Sequence, residues 1–273
     1  MFAPIPFEKC LEEERYGGKV TSLGAAIRAG LPTPPGYGIE VAFVDAVVSG
    51  DADAVKAAQT VFSEVAPSCA VRSSAVGEDS ADASFAGQHD SIMNVRSANE
   101  VVNAIVQVFK SGQTESAMAY RHKMGVADEA RIAVAIQQQI PSDKAGVLFT
   151  RNPISGVQER YIEVSWGLGE AVVSGLVVPD TFRIDANGSI LLREPGDKDL
   201  KLVLNEGGGT DEVDVAEELA EALCLSDDEL SMLHQLAEKC EKVYGEDLDM
   251  EFAFYMNELY LLQCRSITTN VKT

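Results

Sequence analysis

Apolar and polar positions change their period along the chain, and the change falls near residue 131. Before it, helical spacing dominates. The stretch "GGKVTSLGAAIRAG" reads as a glycine-led helix, "LPTPPGYGIE" as a proline-stiffened turn into a strand, and "DADAVKAAQTVFSEV" as a second helix. A short buried strand, "SCAVRSS", follows, and "SANEVVNAIVQVFKSG" gives an amphipathic helix with Ser97 and Glu100 at capping-box spacing. After 131, runs of strand character take over: "RIAVAIQQQI", "AGVLFTR", "RYIEVSW" and "DTFRIDANGSILL", the last with a hairpin turn at Asn187-Gly188. A long helical pattern closes with a half that opens on Ser226 and Glu229 and stops at Gly245. The glycine-rich "EGGGT" at 206–210 lacks the Gly-Lys-Ser/Thr ending of a P-loop and is expected to be a flexible connector.

The final strands, "DLDMEFAFYMNELYLLQCRSI", form a predicted hairpin. With the turn centred on Asn257, Glu251 lies opposite Gln263 and Asp249 opposite Arg265. One face then carries Asp249, Glu251, Gln263 and Arg265; the other carries Leu248, Met250, Phe252, Phe254, Tyr260, Leu262 and Cys264. Two readings of the polar face stand open. It is either a solvated surface with cross-strand pairs, or a site where a carboxylate and an amide oxygen hold a hard cation such as Mg²⁺, with Arg265 beside it for phosphate. A one-residue bulge would spoil this register.

A second unusual stretch is "RSSAVGEDSADASFAGQHDS", which begins at Arg72 right after the apolar "CAV". It is too polar for core and too short for a linker. Composition narrows what such a loop serves. A net charge of −21 argues against a general nucleic-acid-binding surface, so any phosphate site must be built locally from a few cations. No apolar run of about 18 residues is present, so no membrane span is expected. The opening "MFAPIPFEKCLEEERYGGK" has no basic stretch followed by an apolar one, so no secretory signal is expected. Five scattered cysteines without CxxC pairing suit a reducing cytoplasm.

Six stretches together resemble one family. They are "GGKVTSLGAAIRAGLPTPPGYGI", "AVRSSAVGEDSADASFAGQHDSIMNV", "AVAIQQQI", "AGVLFTRNPISG", "GLGEAVVSGLVVPDTFRI" and "DLDMEFAFYMNELYLLQCRSIT", in that order and over nearly the whole chain. The chain resembles the ATP-binding domain of phosphoenolpyruvate synthase, pyruvate phosphate dikinase and rifamycin phosphotransferase. That resemblance implies an α+β, ATP-grasp-like fold with the nucleotide in a cleft between two lobes. It implies an N-terminal lobe over 1–96 with a phosphate-handling loop, a helical connection over 97–130, and a C-terminal grasp lobe over 131–273 with a metal-binding hairpin. Carried over by position, Lys19 and Arg72 are expected at the phosphates, and Gly87 and Ser91 at the loop's closure on the nucleotide. Gln137 is expected at the adenine, Glu251 and Gln263 at Mg²⁺, and Arg265 at a further phosphate. Glu170 in "GLGEAVVSG" is a weaker candidate for the same cleft. ATP and Mg²⁺ are the implied cofactors, and Lys19, Arg72 and Arg265 the implied catalytic cations. Ser73, Ser74 and Ser84 are read as loop-shaping residues. The family commonly has proline where Ser266 stands.

Longer relatives in this family carry a swivelling domain with a phospho-carrier histidine. The three histidines, His89, His122 and His234, sit in settings that do not resemble it. The expectation is therefore a stand-alone ATP-binding subunit of a split dikinase-type phosphotransferase, resembling the layout of phenylphosphate synthase. It would release AMP and phosphate, with the histidine on a partner subunit and a phenol as acceptor. The alternatives are the ATP-binding part of a phosphoenolpyruvate synthase acting on pyruvate, and a nucleotide-binding regulatory subunit without chemistry.

Overall fold

A computed structural model describes residues 2–77, 91–114 and 131–267. The architecture is α+β, in two lobes, each built on an antiparallel sheet. In the first lobe five strands run in the order β1-β2-β5-β3-β4, with β1 at Ile5–Pro6, β2 at Gly36–Ile39, β3 at Cys69–Ala75, β4 at Ser91–Val95 and β5 at Ile132–Gln138. Thus β5, which the sequence boundary at 131 assigns to the second lobe, occupies the middle of the first sheet. Its six consecutive buried residues, Ile132 to Gln137, are what a strand covered on both faces requires.

Helices α1 (Glu13–Arg28), α2 (Val41–Val48), α3 (Ala52–Gln59), α4 (Phe62–Val65) and α5 (Ala98–Ser111) cover this sheet. Along α5, Val101, Ala104, Ile105 and Val108 form one stripe and pack with Phe43, Val71 and Ile136 in a shared core. Ser97 caps α5 by accepting from Glu100 N, but the Glu100 carboxylate accepts from Arg96 N at 2.8 Å, so only half of the expected box forms.

The second lobe has a six-stranded sheet in the order β13-β12-β6-β7-β8-β9. Its strands are β6 (Lys144–Phe149), β7 (Arg160–Trp166), β8 (Asp180–Ile184), β9 (Ile190–Glu194), β12 (Leu248–Tyr255) and β13 (Glu258–Ser266), with helices α6 (Glu170–Val173), α7 (Glu217–Ala220) and α8 (Asp227–Tyr244). Here the capping box at Ser226 and Glu229 is complete. From α8, Leu230, Leu233, Ala237 and Cys240 pack onto Leu148, Phe182, Met250 and Phe252 of the sheet. The Asn187-Gly188 turn joins β8 to β9 as expected, with Asp185 Oδ1 accepting from Asn187 N and Ser189 N. All five cysteines are buried and unpaired. No helix among the described residues is long and apolar enough to cross a membrane.

The glycine-rich stretch departs from expectation. It is not a flexible connector but the turn of a two-stranded ribbon, β10 (Leu200–Leu204) with β11 (Thr210–Asp214). Positive φ at Gly208 and Gly209 makes glycine necessary there. The buried Asn94 amide of β4 donates to Asn205 O and to Gly209 O, both at 2.7 Å, fastening the ribbon to the first lobe. The ribbon is also held to the second lobe by Leu168 N donating to Leu202 O. It therefore bridges both. Replacing Asn94 with alanine is expected to cost about 1–3 kcal/mol, because two hydrogen bonds from a buried amide are lost at about 0.5–1.5 kcal/mol each, and to speed amide exchange selectively over residues 200–214. Exchange there unchanged in Asn94→Ala would contradict the clasp.

Candidate functional site

The hairpin meets the expectation at its functional end by a route the sequence did not disclose. Its turn is the two-residue pair Met256-Asn257, with φ of 50° and 64°, and Tyr255 lies opposite Glu258. Both positive φ values fit a turn whose twist matches the flanking strands. That turn alone would place every pair one residue out of the expected register. A bulge between Glu251 and Phe252 then takes up Leu262 as an extra residue, and beyond it Glu251 faces Gln263 and Asp249 faces Arg265. Below the bulge the faces are exchanged. Leu259 and Leu261, rather than Tyr260 and Leu262, join Phe252 and Phe254 in the core, while Tyr260 and Leu262 pack around Ala253 and Ile140.

Two elements of the first lobe bring cations to this polar face. Gly17 breaks α1 with φ 74° and ψ 168°, and a Cβ there would lie 2.0 Å from Ser74 O. Only glycine permits so close an approach. The helix resumes against β3, with Val20 N donating to Ser74 Oγ at 3.0 Å, which fixes Lys19 at the lobe boundary. Ser74 is thus a docking residue for α1. Ser22 Oγ donates to Cys264 O and Tyr244 OH to Ser22 O, tying the same helix to β13 and α8.

Lys19 Nζ donates to Gln263 Oε1 at 2.6 Å. Arg72 Nη2 donates to Glu251 Oε2 at 2.6 Å and to Gln263 Oε1 at 3.0 Å, and its Nη1 donates to Leu262 O at 3.2 Å. The carbonyl exposed by the bulge is therefore satisfied by the same guanidinium. Arg265 donates through Nε and Nη2 to Asp249 Oδ2, at 2.9 and 2.6 Å. Burial alone would raise the Glu251 carboxyl, but Arg72, Lys19 and Arg265 outweigh it and hold the group below its ordinary value. Asp249 goes the other way: burial lifts it, and Arg265 offsets this only in part. Two carboxylates of one face thus differ in basicity.

Beside this cluster lies a cleft of about 580 Å³, bounded by Arg72, Glu251, Phe252 and Leu262, by Gln137 to Ile140 at the exit of β5, by Gly146 and Glu170, and by Leu202 of the ribbon. Ser91, opposite Arg72 on β4, also lines it. Gln137 is buried, and among the described residues its Nε2 has no hydrogen-bond partner; Gln139 Oε1 is likewise buried without one among them. One wall of the cleft therefore holds an unmet donor and an unmet acceptor, which is costly unless a ligand supplies their partners.

Of the residues expected at the site, Lys19, Arg72, Glu251, Gln263 and Arg265 are brought into one connected group, and Gln137 and Ser91 line the adjoining cleft. Gly87, Ser84, His89 and His122 lie outside the described residues, and so does most of the polar loop after Arg72. His234 sits on α8 beside the Gly188 turn. Sequence reasoning missed Gln139, although the run of three glutamines was a signal, and Leu202, for which the sequence carries none.

For a hard divalent cation, the donor set is incomplete by itself. Among the described residues there is no group of three or more His, Cys, Asp or Glu side chains arranged to hold a metal. The Glu251 carboxylate and Gln263 amide oxygen do converge, since both accept from Arg72 Nη2. Two protein oxygens fit Mg²⁺, which keeps waters and takes ligands from a phosphate chain.

Comparison with known proteins shows the family to which the chain belongs. Residues 51–273 match the family described as "Pyruvate phosphate dikinase, AMP/ATP-binding domain". The chain is 35% identical to a probable phosphoenolpyruvate synthase of Methanocaldococcus jannaschii over 93% of its length, covering 25% of that protein. It is also 35% identical to the prodigiosin synthesizing transferase PigC of Serratia marcescens, over 97% of its length and 33% of PigC. The chain thus spans about a quarter to a third of these relatives. A D-alanyl-alanine synthetase from Vibrio cholerae aligns over 95% of this chain and 58% of its own with a TM-score of 0.42 and 12% identity, a distant likeness from which no function is drawn. Family match and relatives together identify the chain as a member of the pyruvate phosphate dikinase AMP/ATP-binding domain family.

Proposed function

We propose that this chain binds ATP with Mg²⁺ in the cleft between its lobes and acts as the nucleotide-activating part of a dikinase-type phosphotransferase. In this reading AMP and phosphate are released, and a phosphoryl group passes to a histidine on a separate swivelling subunit and then to a small acceptor, a phenol first and pyruvate second. The observation that carries the reading is the meeting of Lys19 and Arg72 from the first lobe with Glu251 and Gln263 of the hairpin. Cations and oxygen ligands converging from opposite sides are what a metal-bound phosphate chain requires.

Each residue has a task in that frame. Lys19, Arg72 and Arg265 offset charge on the phosphates, and Arg72 and Arg265 each offer a planar pair of donors. Glu251, kept ionised by those cations, and Gln263 hold the metal, which when bound would polarise phosphoryl oxygens as a Lewis acid. Gln137 Nε2 and Gln139 Oε1 suit a base that presents both an acceptor and an exocyclic amine, as adenine does. Ser91 and Gly87 would close on the phosphates. Acceptor choice rests on the resemblance to the split layout of phenylphosphate synthase, and no side chain in the cleft reads it out.

Two measurements test this. Incubation with ATP labelled in the β position and a histidine-bearing partner subunit is expected to release AMP and label the partner. Nucleotide binding without transfer to any such partner would favour a regulatory subunit instead. Arg72→Ala is expected to lower the rate of AMP release by about 10²–10³-fold. Separately, Glu251→Ala is expected to weaken Mg²⁺-dependent nucleotide binding by about tenfold or more, the scale on which even outer partners of a metal are felt. Glu258→Ala, at the exposed end of the same hairpin, should leave binding unchanged. Equal effects in calorimetric titrations would remove the assignment of the metal face.

A further inference from the structure

A second recess, of about 440 Å³, lies behind one wall of the cleft, within the range of roughly 300–1,000 Å³ that small-molecule sites occupy. Three segments divide themselves between the two cavities. Gln137 to Ile140 line the cleft, and the next residues, Pro141 to Asp143, line the recess. Gly169 and Glu170 line the cleft, and Trp166 to Leu168, just before them, line the recess. On β10, Leu202 lines the cleft while its neighbours Lys201 and Val203 line the recess, as alternation along a strand requires. Hydrogen bonds join these segments into one partition. Gly167 N donates to Asp143 O at 2.8 Å, Ser142 Oγ to Gly167 O at 3.0 Å, and Leu168 N to Leu202 O at 3.0 Å.

Lys201 sets this recess apart. Among the described residues it is the one half-buried lysine or arginine with neither a hydrogen bond nor an ion pair. The other half-buried cations, Lys19, Arg72, Lys144, Arg151, Arg183 and Arg265, each donate to a carboxylate or amide oxygen. In a chain with 43 Asp and Glu against 22 Lys and Arg, a cation left without a carboxylate is unexpected. Its side chain starts over Gly167, where a Cβ would lie 3.1 Å from Lys201 Cβ. Other donors around the recess are spent. The Trp166 indole donates to Leu219 O, the Ser142 hydroxyl to Gly167 O, and the N–H groups of Asp143, Gly167 and Leu168 to Phe254 O, Asp143 O and Leu202 O. Lys201 Nζ is the donor that remains, and it suits a single anionic group. Asp143 lines the same recess, and its carboxylate opposes a second negative charge on the occupant. Pro141, Leu168, Val203 and Leu204 supply apolar surface.

We propose that this recess binds a small monocarboxylate with an apolar body, its carboxylate held by Lys201, and that occupancy alters nucleotide binding through the shared partition. Lys201 and Val203 cannot shift without Leu202, which stands between them and lines the cleft together with Gln137 to Ile140. Coupling of this kind is reciprocal, so each ligand changes the affinity of the other by the same factor. The coupling rests on the nucleotide reading above; the recess as a binding site does not.

Trp166 is the single tryptophan of the chain, so its fluorescence reports on the recess. Titration of the full chain with benzoate is expected to give a saturable change. Benzamide, which lacks the charge, and acetate, which lacks the apolar body, should each bind about tenfold more weakly or worse. Lys201→Met should weaken benzoate binding by about 10–100-fold, as loss of a charged hydrogen-bond donor implies, and Lys201→Arg should recover part of it. Neither substitution should change the affinity for ATP with Mg²⁺ measured without benzoate. Saturating benzoate should shift the wild-type Kd for ATP by about fivefold or more in calorimetric titrations. A wild type that gives no saturable response to benzoate overturns the site, as does Lys201→Met binding benzoate equally well, or benzamide matching benzoate. An ATP Kd that bound benzoate leaves unmoved overturns the coupling. A wild type that binds benzoate but no ATP overturns the nucleotide reading, and the coupling with it, while the site stands.

Discussion

Arg72 reaches from the first sheet to the second and donates there to Glu251, Gln263 and the Leu262 carbonyl. Most of what is unusual in the chain serves this contact. Gly17 lets α1 press against β3, which brings Lys19 to the same glutamine. The bulge at Leu262 turns Gln263 into line with Glu251 and supplies the carbonyl that Arg72 occupies. Joining a cation to a partly buried carboxylate across two lobes is favourable only while the desolvation of both is repaid by several hydrogen bonds. Here one guanidinium makes three.

The same arrangement is suited to exchange. Donors now spent on Glu251 and Gln263 are those a phosphate chain would take, and the freed oxygens are those a hard cation would take. The protein's own ion pair therefore occupies the place of the proposed ligand in reduced form. The ribbon and α1 bridge the lobes on either side of this exchange, through Asn94 at one edge and Ser22 at the other.

How much of this was legible in the sequence differs from feature to feature. Alternation in "DLDMEF" and "LLQCR" located the polar face, and the caps at Ser226 and Ser97 located two helices, because these are local rules. The hairpin register was right at Glu251 and wrong at Tyr260, since a tighter turn and a bulge cancel only beyond residue 251. Nothing in the residues themselves announces a bulge at Leu262. The glycine run was misread because its role depends on Asn94, more than a hundred positions earlier in the chain. Placement of β5 in the first sheet is likewise a matter of topology, which periodicity does not encode. The contact between Lys19 and Gln263 spans 244 positions and became legible only through the family resemblance.

The most direct test of the central contact is a crystal structure with a non-hydrolysable ATP analogue and Mg²⁺. The account requires Lys19 and Arg72 to have left Gln263 and Glu251 for the phosphate oxygens, with the metal between those two side chains and the phosphates. An intact Arg72–Glu251 pair, with the triphosphate bound elsewhere or not at all, would contradict it.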